Sequence, residues 1–243
     1  MVCAPAQALD LDQLQPQDVE QVQAALQHLE SLITSKKQDG TANILTWEEL
    51  YAPLSEDERA FLDAFRSVKA ETLGATSHYF GERSGSLDLV AAGPQTILKN
   101  GTPSPLDPQY LPRVVSEAYQ ATMAAMEQDL GKRLLVESGY RSPAYQLYLF
   151  LFFLPKHNYS IRETNRHVAL PGYSEHGSPL RQAIDFINQE GINGEDHPEE
   201  FEALPEYHWL LQHAVSFGFY LSYPRNNPHG TAFEPWHWHY EKQ

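Results

Sequence analysis

A single cysteine, Cys3, in 243 residues leaves no partner for an internal disulfide, no thiolate set for a Cys-based zinc site and no Cys-X-X-Cys redox centre. Any metal must therefore be held by histidine and carboxylate. Bases are scarce as well: 17 Lys and Arg stand against 32 Asp and Glu, a formal charge of -15. Binding to a phosphate backbone is driven by Lys and Arg, and no basic run rescues the idea, so nucleic acid is not an expected partner. Long apolar runs are missing too. The longest, Leu147 to Leu154, has eight residues against the roughly 20 that cross a bilayer, so no membrane span is expected and the run reads as a buried helix. No basic segment followed by an apolar one precedes residue 10, although Ala4-Pro5-Ala6-Gln7-Ala8 resembles the small-residue tail of an export signal whose front is removed. By the same logic Cys3 reads as a lipidation remnant or a stray thiol. What is present is 42% hydrophobic residues, enough to fill one sizeable domain with an elaboration, or two small domains.

Along the chain, Val19, Val22, Leu26, Leu29 and Ile33 recur at three- and four-residue steps, which predicts a helix over 17–36 with one apolar face. Ser55-x-x-Glu58 and Thr46-x-x-Glu49 have the form of capping boxes, the first opening a helix lined by Phe61, Leu62, Phe65 and Val68. Residues 1–75 are thus expected to form a helical extension packed on a catalytic domain over 76–243. Between 74 and 108, Gly, Ser and Pro become frequent around short apolar stretches such as Leu87–Val90 and Thr96–Leu98, the pattern of linker and short strands. A helix is expected from Pro108 to Leu130, ended by Gly131, then a strand over Arg133–Glu137. A second helix, 206–217, turns Tyr207, Leu210, Leu211, Ala214 and Phe217 inward and stops at Gly218. Strands follow at Phe219–Tyr223 and Phe233–Tyr240. Helices and short strands without regular βαβ alternation give the expected class: α+β, a small antiparallel sheet flanked by helices, with an N-terminal helical extension.

Four segments carry chemistry. Phe233-Glu234-Pro235-Trp236-His237-Trp238-His239-Tyr240 puts a carboxylate three positions before an imidazole, in an aromatic strand. Proline after Glu234 biases that residue toward an extended conformation, so that it projects from the strand entry while His237 points inward. Ser174-Glu175-His176 offers a second imidazole in a polar, turn-like setting, expected to be exposed at a loop edge, and Asp185 lies in the apolar stretch Ala183-Ile184-Asp185-Phe186-Ile187. A carboxylate there is costly to bury unless something positive neutralises it. Either a divalent metal or an ion pair with Arg141 or Arg181 would do so. His176, Asp185 and His237 could hold one zinc with a coordination position left for water, the mark of a catalytic site, and Glu234 could act as base. His239, on the same strand face as His237, is a reserve ligand or an aromatic-packed neighbour. Ser138-Gly139-Tyr140-Arg141-Ser142 places a guanidinium where the chain leaves a strand, to stabilise an oxyanion, fork onto a substrate carboxylate or form a structural salt bridge.

Taken together, Ser138-Gly139-Tyr140-Arg141-Ser142 with Gln146, Pro171–His176 with Ala183-Ile184-Asp185, and Glu234-Pro235-Trp236-His237 with Tyr240 resemble the vancomycin-resistance (VanY-type) D-alanyl-D-alanine carboxypeptidases. These belong to the zinc peptidases that include lysostaphin and the Sonic hedgehog fold. The resemblance covers about 105–243, with the motifs in family order. It implies a hedgehog-like, D-Ala-D-Ala-peptidase-like fold and a periplasmic or cell-envelope enzyme acting on peptidoglycan stem peptides with Zn2+. It matches His176, Asp185 and His237 to the metal ligands, Glu234 to the catalytic base and Arg141 to the residue that steadies the scissile carbonyl. Ser174 and Gln146, with Ser142 and Tyr140, fall at substrate-binding positions. The expected activity is that of a D,D-carboxypeptidase. An L,D-carboxypeptidase or endopeptidase with the same zinc chemistry, and a catalytically weak cell-wall-binding protein on the same fold, are the alternatives. Two departures bear on the choice. Eight residues separate His176 from Asp185 where six are usual, with Arg181 near the usual glycine, and His239 stands where arginine is common. The acidic stretch Glu190–Glu206 reads as an elaboration, either a solvated loop or a lid.

Overall fold

The computed structural model describes residues 9–74, 78–82, 87–178, 181–227 and 232–241; Cys3 and the Ala4–Ala8 segment lie outside them. The chain divides into two compact units, one of residues 1–84 and 142–174, the other of 85–141 and 175–243.

The first unit is helical. Helices are numbered along the chain: α1 (Pro16–Gln38), α2 (Trp47–Tyr51) and α3 (Glu56–Arg66), then, after the excursion into the second unit, α5 (Pro143–Phe153) and α6 (Ile161–Thr164). The three- and four-residue spacing of α1 buries Val22, Ala25, Leu29 and Ile33. Both expected capping boxes form: Thr46 Oγ1 accepts the Glu49 amide and Ser55 Oγ accepts the Glu58 amide, while each glutamate reaches back to its cap. The Leu147–Leu154 run supplies α5 and the turn after it. Its side chains Leu147, Phe150, Leu151 and Leu154 are wholly buried in one core with Leu29, Leu50, Leu62 and Phe65. The apolar run and the N-terminal helices therefore share one core.

The second unit is built on a four-stranded antiparallel sheet of order β5-β6-β8-β7, with β5 Leu135–Ser138, β6 Gln182–Ile187, β7 Phe219–Leu221 and β8 His237–Tyr240. Two short ribbons precede it. In one, β1 (Leu89–Ala91) pairs with β4 (Tyr110–Pro112), and in the other β2 (Thr96–Lys99) pairs with β3 (Thr102–Pro105). Helix α4 (Arg113–Leu130) starts later than Pro108 because Tyr110–Pro112 are spent on β4; it ends at Gly131, whose φ of 65° fits a left-handed cap. Helices α7 (Pro198–Glu202) and α8 (Pro205–His213) take up the later part of the acidic stretch, with Phe201 and Glu206 buried, while residues 190–197 ahead of them lie outside helix and strand. Past His213 the chain tightens to a 3-10 turn, Ala214–Phe217. Within α8 the buried face runs through Glu206, Tyr207, Trp209 and Leu210, which leaves Leu211 at its margin, 50% exposed rather than inward. Alternation along the strands sorts the two sheet faces. Ile184, Phe186, Val136 and Trp238 join a core with Tyr119, Met123 and Met126 of α4 and Leu210 of α8, leaving Asp185 and His237 on the opposite face. At the β5 margin, the Gln95 amide donates to Val136 O and accepts from Val136 N, both at 2.8 Å, and Gln109 Oε1 accepts the Gly139 amide at 3.0 Å.

Candidate metal centre

Strand pairing brings the first two groups together. Asp185 and His237 are direct cross-strand partners of β6 and β8, and His237 Nδ1 lies 2.8 Å from Asp185 Oδ1. Glu234 sits ahead of the strand rather than within it. His237 donates its amide to Glu234 O at 3.2 Å, closing a turn around Pro235 that brings Glu234 Oε2 to 3.8 Å from His237 Nδ1. The β5–β6 register shifts between Val136 and Ser138, so Ser138 faces Asp185; such irregularities re-aim the chain beside functional sites. The segment leaving β5 then runs so close to β4 that a Cβ on Gly139 would lie 2.5 Å from Tyr110 O, a contact only glycine avoids.

His176 arrives from a 3-10 turn, Glu175–Gly177, and is buried there rather than exposed at a loop edge. Arg141 donates its amide to His176 O at 3.1 Å, and the ring Nδ1 lies 2.8 Å from Gly139 O. A carbonyl only accepts, so Nδ1 carries the proton and Nε2 presents its lone pair 3.0 Å from Asp185 Oδ2. The two imidazoles stand nearly perpendicular, 83°, with centroids 5.0 Å apart. One ligand atom from each of His176, Asp185 and His237 lies within 4.8 Å of the others.

The electrostatics are those of a site built around positive charge. Burial, with Arg141 adding to it, brings His176 down to about 4, so the ring is neutral at physiological pH. Burial opposes ionisation of Asp185, but His176 and His237 outweigh it and hold the carboxyl well below its usual range. Burial likewise opposes charge on His237, yet Asp185 and Glu175 together raise it to about 10. Burial is also the main reason Glu234 rises to about 7. Two nitrogens and a carboxylate facing one another, with protons on the outer ring atoms, need a shared cation or an extra proton. The donor set of two imidazoles and one carboxylate, without thiolate, suits a divalent ion such as zinc, and the outer nitrogens carry the hydrogen bonds that metal-binding imidazoles usually have.

Arg141 reaches the cluster, its Nη2 3.9 Å from Asp185 Oδ2, while its Nε is buried with no hydrogen-bond partner among the described residues. Arg181 turns elsewhere, to Glu175 Oε1 at 3.0 Å and Glu241 Oε1 at 2.9 Å. His239 Nδ1 meets Ser222 Oγ at 2.7 Å and is not a member of the triad. Tyr140, in the same unit, is buried and its hydroxyl is pushed up to about 12 by that burial. Ser142, Gln146 and Ser174 belong to the helical unit. Ser142 caps α5 by accepting the Tyr145 amide at 3.1 Å and donates to Leu45 O at 2.6 Å. Gln146 Nε2 donates to Ala169 O at 2.8 Å, and Ser174 is half-buried. Glu175 was not singled out in the sequence. Its one signal there was its position beside His176.

The sheet and this cluster define a class: an α+β chain whose central strands present an imidazole and a carboxylate on one face, joined by a second imidazole from a 3-10 turn. Residues 108–243 match the family described as VanY, D-alanyl-D-alanine carboxypeptidase, and the chain belongs to that family. The protein YodJ of Bacillus subtilis (strain 168) is 30% identical over 137 residues, 54% of this chain and 46% of that protein. A D-alanyl-D-alanine carboxypeptidase of Enterococcus faecium is 31% identical over 109 residues, 44% of this chain and 29% of the relative. The matched region thus spans less than half of either curated relative. Among solved structures, that of the LdcB LD-carboxypeptidase superposes with a TM-score of 0.50 at 28% identity, covering 66% of this chain and 69% of that one.

Proposed function

We propose that the chain is a zinc-dependent D,D-carboxypeptidase that removes the terminal D-alanine from peptidoglycan stem peptides and works in the cell envelope. The observation that carries this reading is the meeting of His176, Asp185 and His237 within 4.8 Å, with Glu234 beside them, in a chain of the VanY family. Zinc held by those three residues would supply Lewis acidity toward water and the peptide carbonyl. Glu234, raised to about 7 by burial, is suited to exchange protons near neutrality. It takes a proton from water as the oxygen attacks the carbonyl carbon, and returns it to the amine when the C–N bond breaks. Arg141, with an uncommitted Nε, steadies the carbonyl oxygen. Tyr140, Ser142, Gln146 and Ser174 are assigned to substrate contact by their motif positions. The metal chemistry is assigned to the second unit.

An L,D-carboxypeptidase is the second reading, favoured by the likeness to the LdcB LD-carboxypeptidase. Incubation with defined tripeptide, tetrapeptide and pentapeptide stems, with zinc stoichiometry measured on the same sample, tests both. Release of D-alanine from the pentapeptide alone supports the D,D reading, and release from the tetrapeptide supports the L,D one. Internal cleavage would indicate an endopeptidase. Absence of both zinc and hydrolysis would leave a wall-binding protein.

A further inference from the structure

Glu175 is a charged side chain, 5% exposed, for which neither substrate nor solvent accounts. Among the described residues, its carboxylate makes its hydrogen bonds and ion pairs within the second unit. Oε2 lies 3.0 Å from His237 Nε2 and 2.6 Å from Ser222 Oγ; Oε1 lies 3.1 Å from Arg181 Nε and 3.0 Å from Arg181 Nη2. The two oxygens thus face different tasks. One is clamped by a guanidinium that is itself tied to Glu241. The other is given to the ring nitrogen of His237 that points away from Asp185.

A buried carboxylate is stable only when its lone pairs are met by donors. If an ion pair with Arg181 were its whole purpose, Oε2 would not have to meet an imidazole. Because an ionised carboxylate only accepts, this contact places a proton on His237 Nε2. The opposite nitrogen, Nδ1, is then the one able to present a lone pair, and it stands 2.8 Å from Asp185 Oδ1. Ser222 extends the arrangement: it donates to Glu175 and receives His239 Nδ1 at 2.7 Å, so the carboxylate is held from three sides.

We propose that Glu175 is a positioning residue for His237, fixing its tautomer and ring orientation so that Nδ1 faces the metal position, with Arg181 and Ser222 holding the carboxylate in place. The proposal rests on the metal reading given above. Outer partners of metal-binding imidazoles typically change metal affinity by about 10- to 100-fold when removed, and a fall in that range is expected for Glu175→Gln, which keeps the shape and loses the charge.

The experiment is competition for Zn(II) against a chromophoric chelator, using the full chain, with thermal melting of the metal-free proteins alongside. Glu175→Gln is expected to bind zinc about 10- to 100-fold more weakly, and its Co(II)-substituted form to show shifted visible bands. Ser222→Ala and Arg181→Gln are expected to weaken zinc binding less. A folded Glu175→Gln variant with wild-type affinity and an unchanged cobalt spectrum overturns the proposal. So does a lowered melting temperature with unchanged affinity, the signature of a purely structural role. If Glu175→Gln does not fold, wild-type zinc affinity in both Ser222→Ala and Arg181→Gln overturns it equally. Failure of the parent reading looks different: the wild-type chain would then bind no zinc, or His176→Ala would bind it undiminished.

Discussion

The two units place charge differently. In the helical unit, α1, α3 and α5 bury Leu29, Phe65 and Phe150 completely. Its buried carboxylate, Glu58, serves the Ser55 cap and pairs with His28 at 2.7 Å. In the sheet unit, Glu175, His176, His237 and His239 are all buried, with Asp185 beside them. The first arrangement is held by removing apolar surface from water, and the second gives up part of that gain to hold groups that are costly to bury. Stability and chemistry should therefore respond separately to substitution.

The largest effects should come from the sheet unit. His237→Ala is expected to abolish zinc retention, leaving Asp185 and Glu175 without their shared imidazole, as zinc stoichiometry after gel filtration will show; full occupancy would point to His239 instead. Glu234→Ala should keep the metal and lose about 10²- to 10⁴-fold in turnover, measured as D-alanine release; undiminished hydrolysis would reject its role as base. Phe150→Ala provides the converse, costing about 3–5 kcal/mol of stability by chemical denaturation while zinc stoichiometry stays at the wild-type value. A smaller effect is the pH dependence of zinc affinity. His176, brought down to about 4, is neutral at neutrality with Nε2 free of a proton, whereas His237, raised to about 10, holds a second ring proton that zinc must displace. Affinity should therefore rise with pH, by about tenfold per unit across the neutral range, as chelator titrations at several pH values will test. The smallest is Ser55→Ala, which removes one cap and should cost about 1 kcal/mol without altering zinc binding.

The same division governs what could be read from the sequence. The caps at Thr46 and Ser55 are legible because all their parts lie within four residues. The antiparallel sheet is legible in strand-like segments, and the meeting of Asp185 with His237 in motifs that come in a recognisable order, though not their direct cross-strand pairing. Contacts set by distant residues were not legible. The polar turn around His176 looks exposed, yet it is buried, with Ser222 and Arg181 closing around the neighbouring Glu175. Leu211 fits an inward helical stripe, yet the face that α8 buries runs through Glu206, Tyr207, Trp209 and Leu210 and passes it by. Glu190–Glu206 looks like a loop, yet Glu206 is 1% exposed and 3.5 Å from Lys132. The partners of Leu147–Leu154 lie about a hundred residues earlier, in helices that periodicity describes one at a time.

The glutamines at the outer strand of the sheet affect how the protein behaves in company. An outermost strand offers hydrogen-bonding groups that can template the addition of a foreign strand, a common start of self-association. Gln95 occupies both main-chain groups of Val136, and Gln109 takes the amide of Gly139. Two neutral side chains thus do by imitation what charge or proline does on other margins: they complete the ladder at these positions and deny an approaching chain its first rungs.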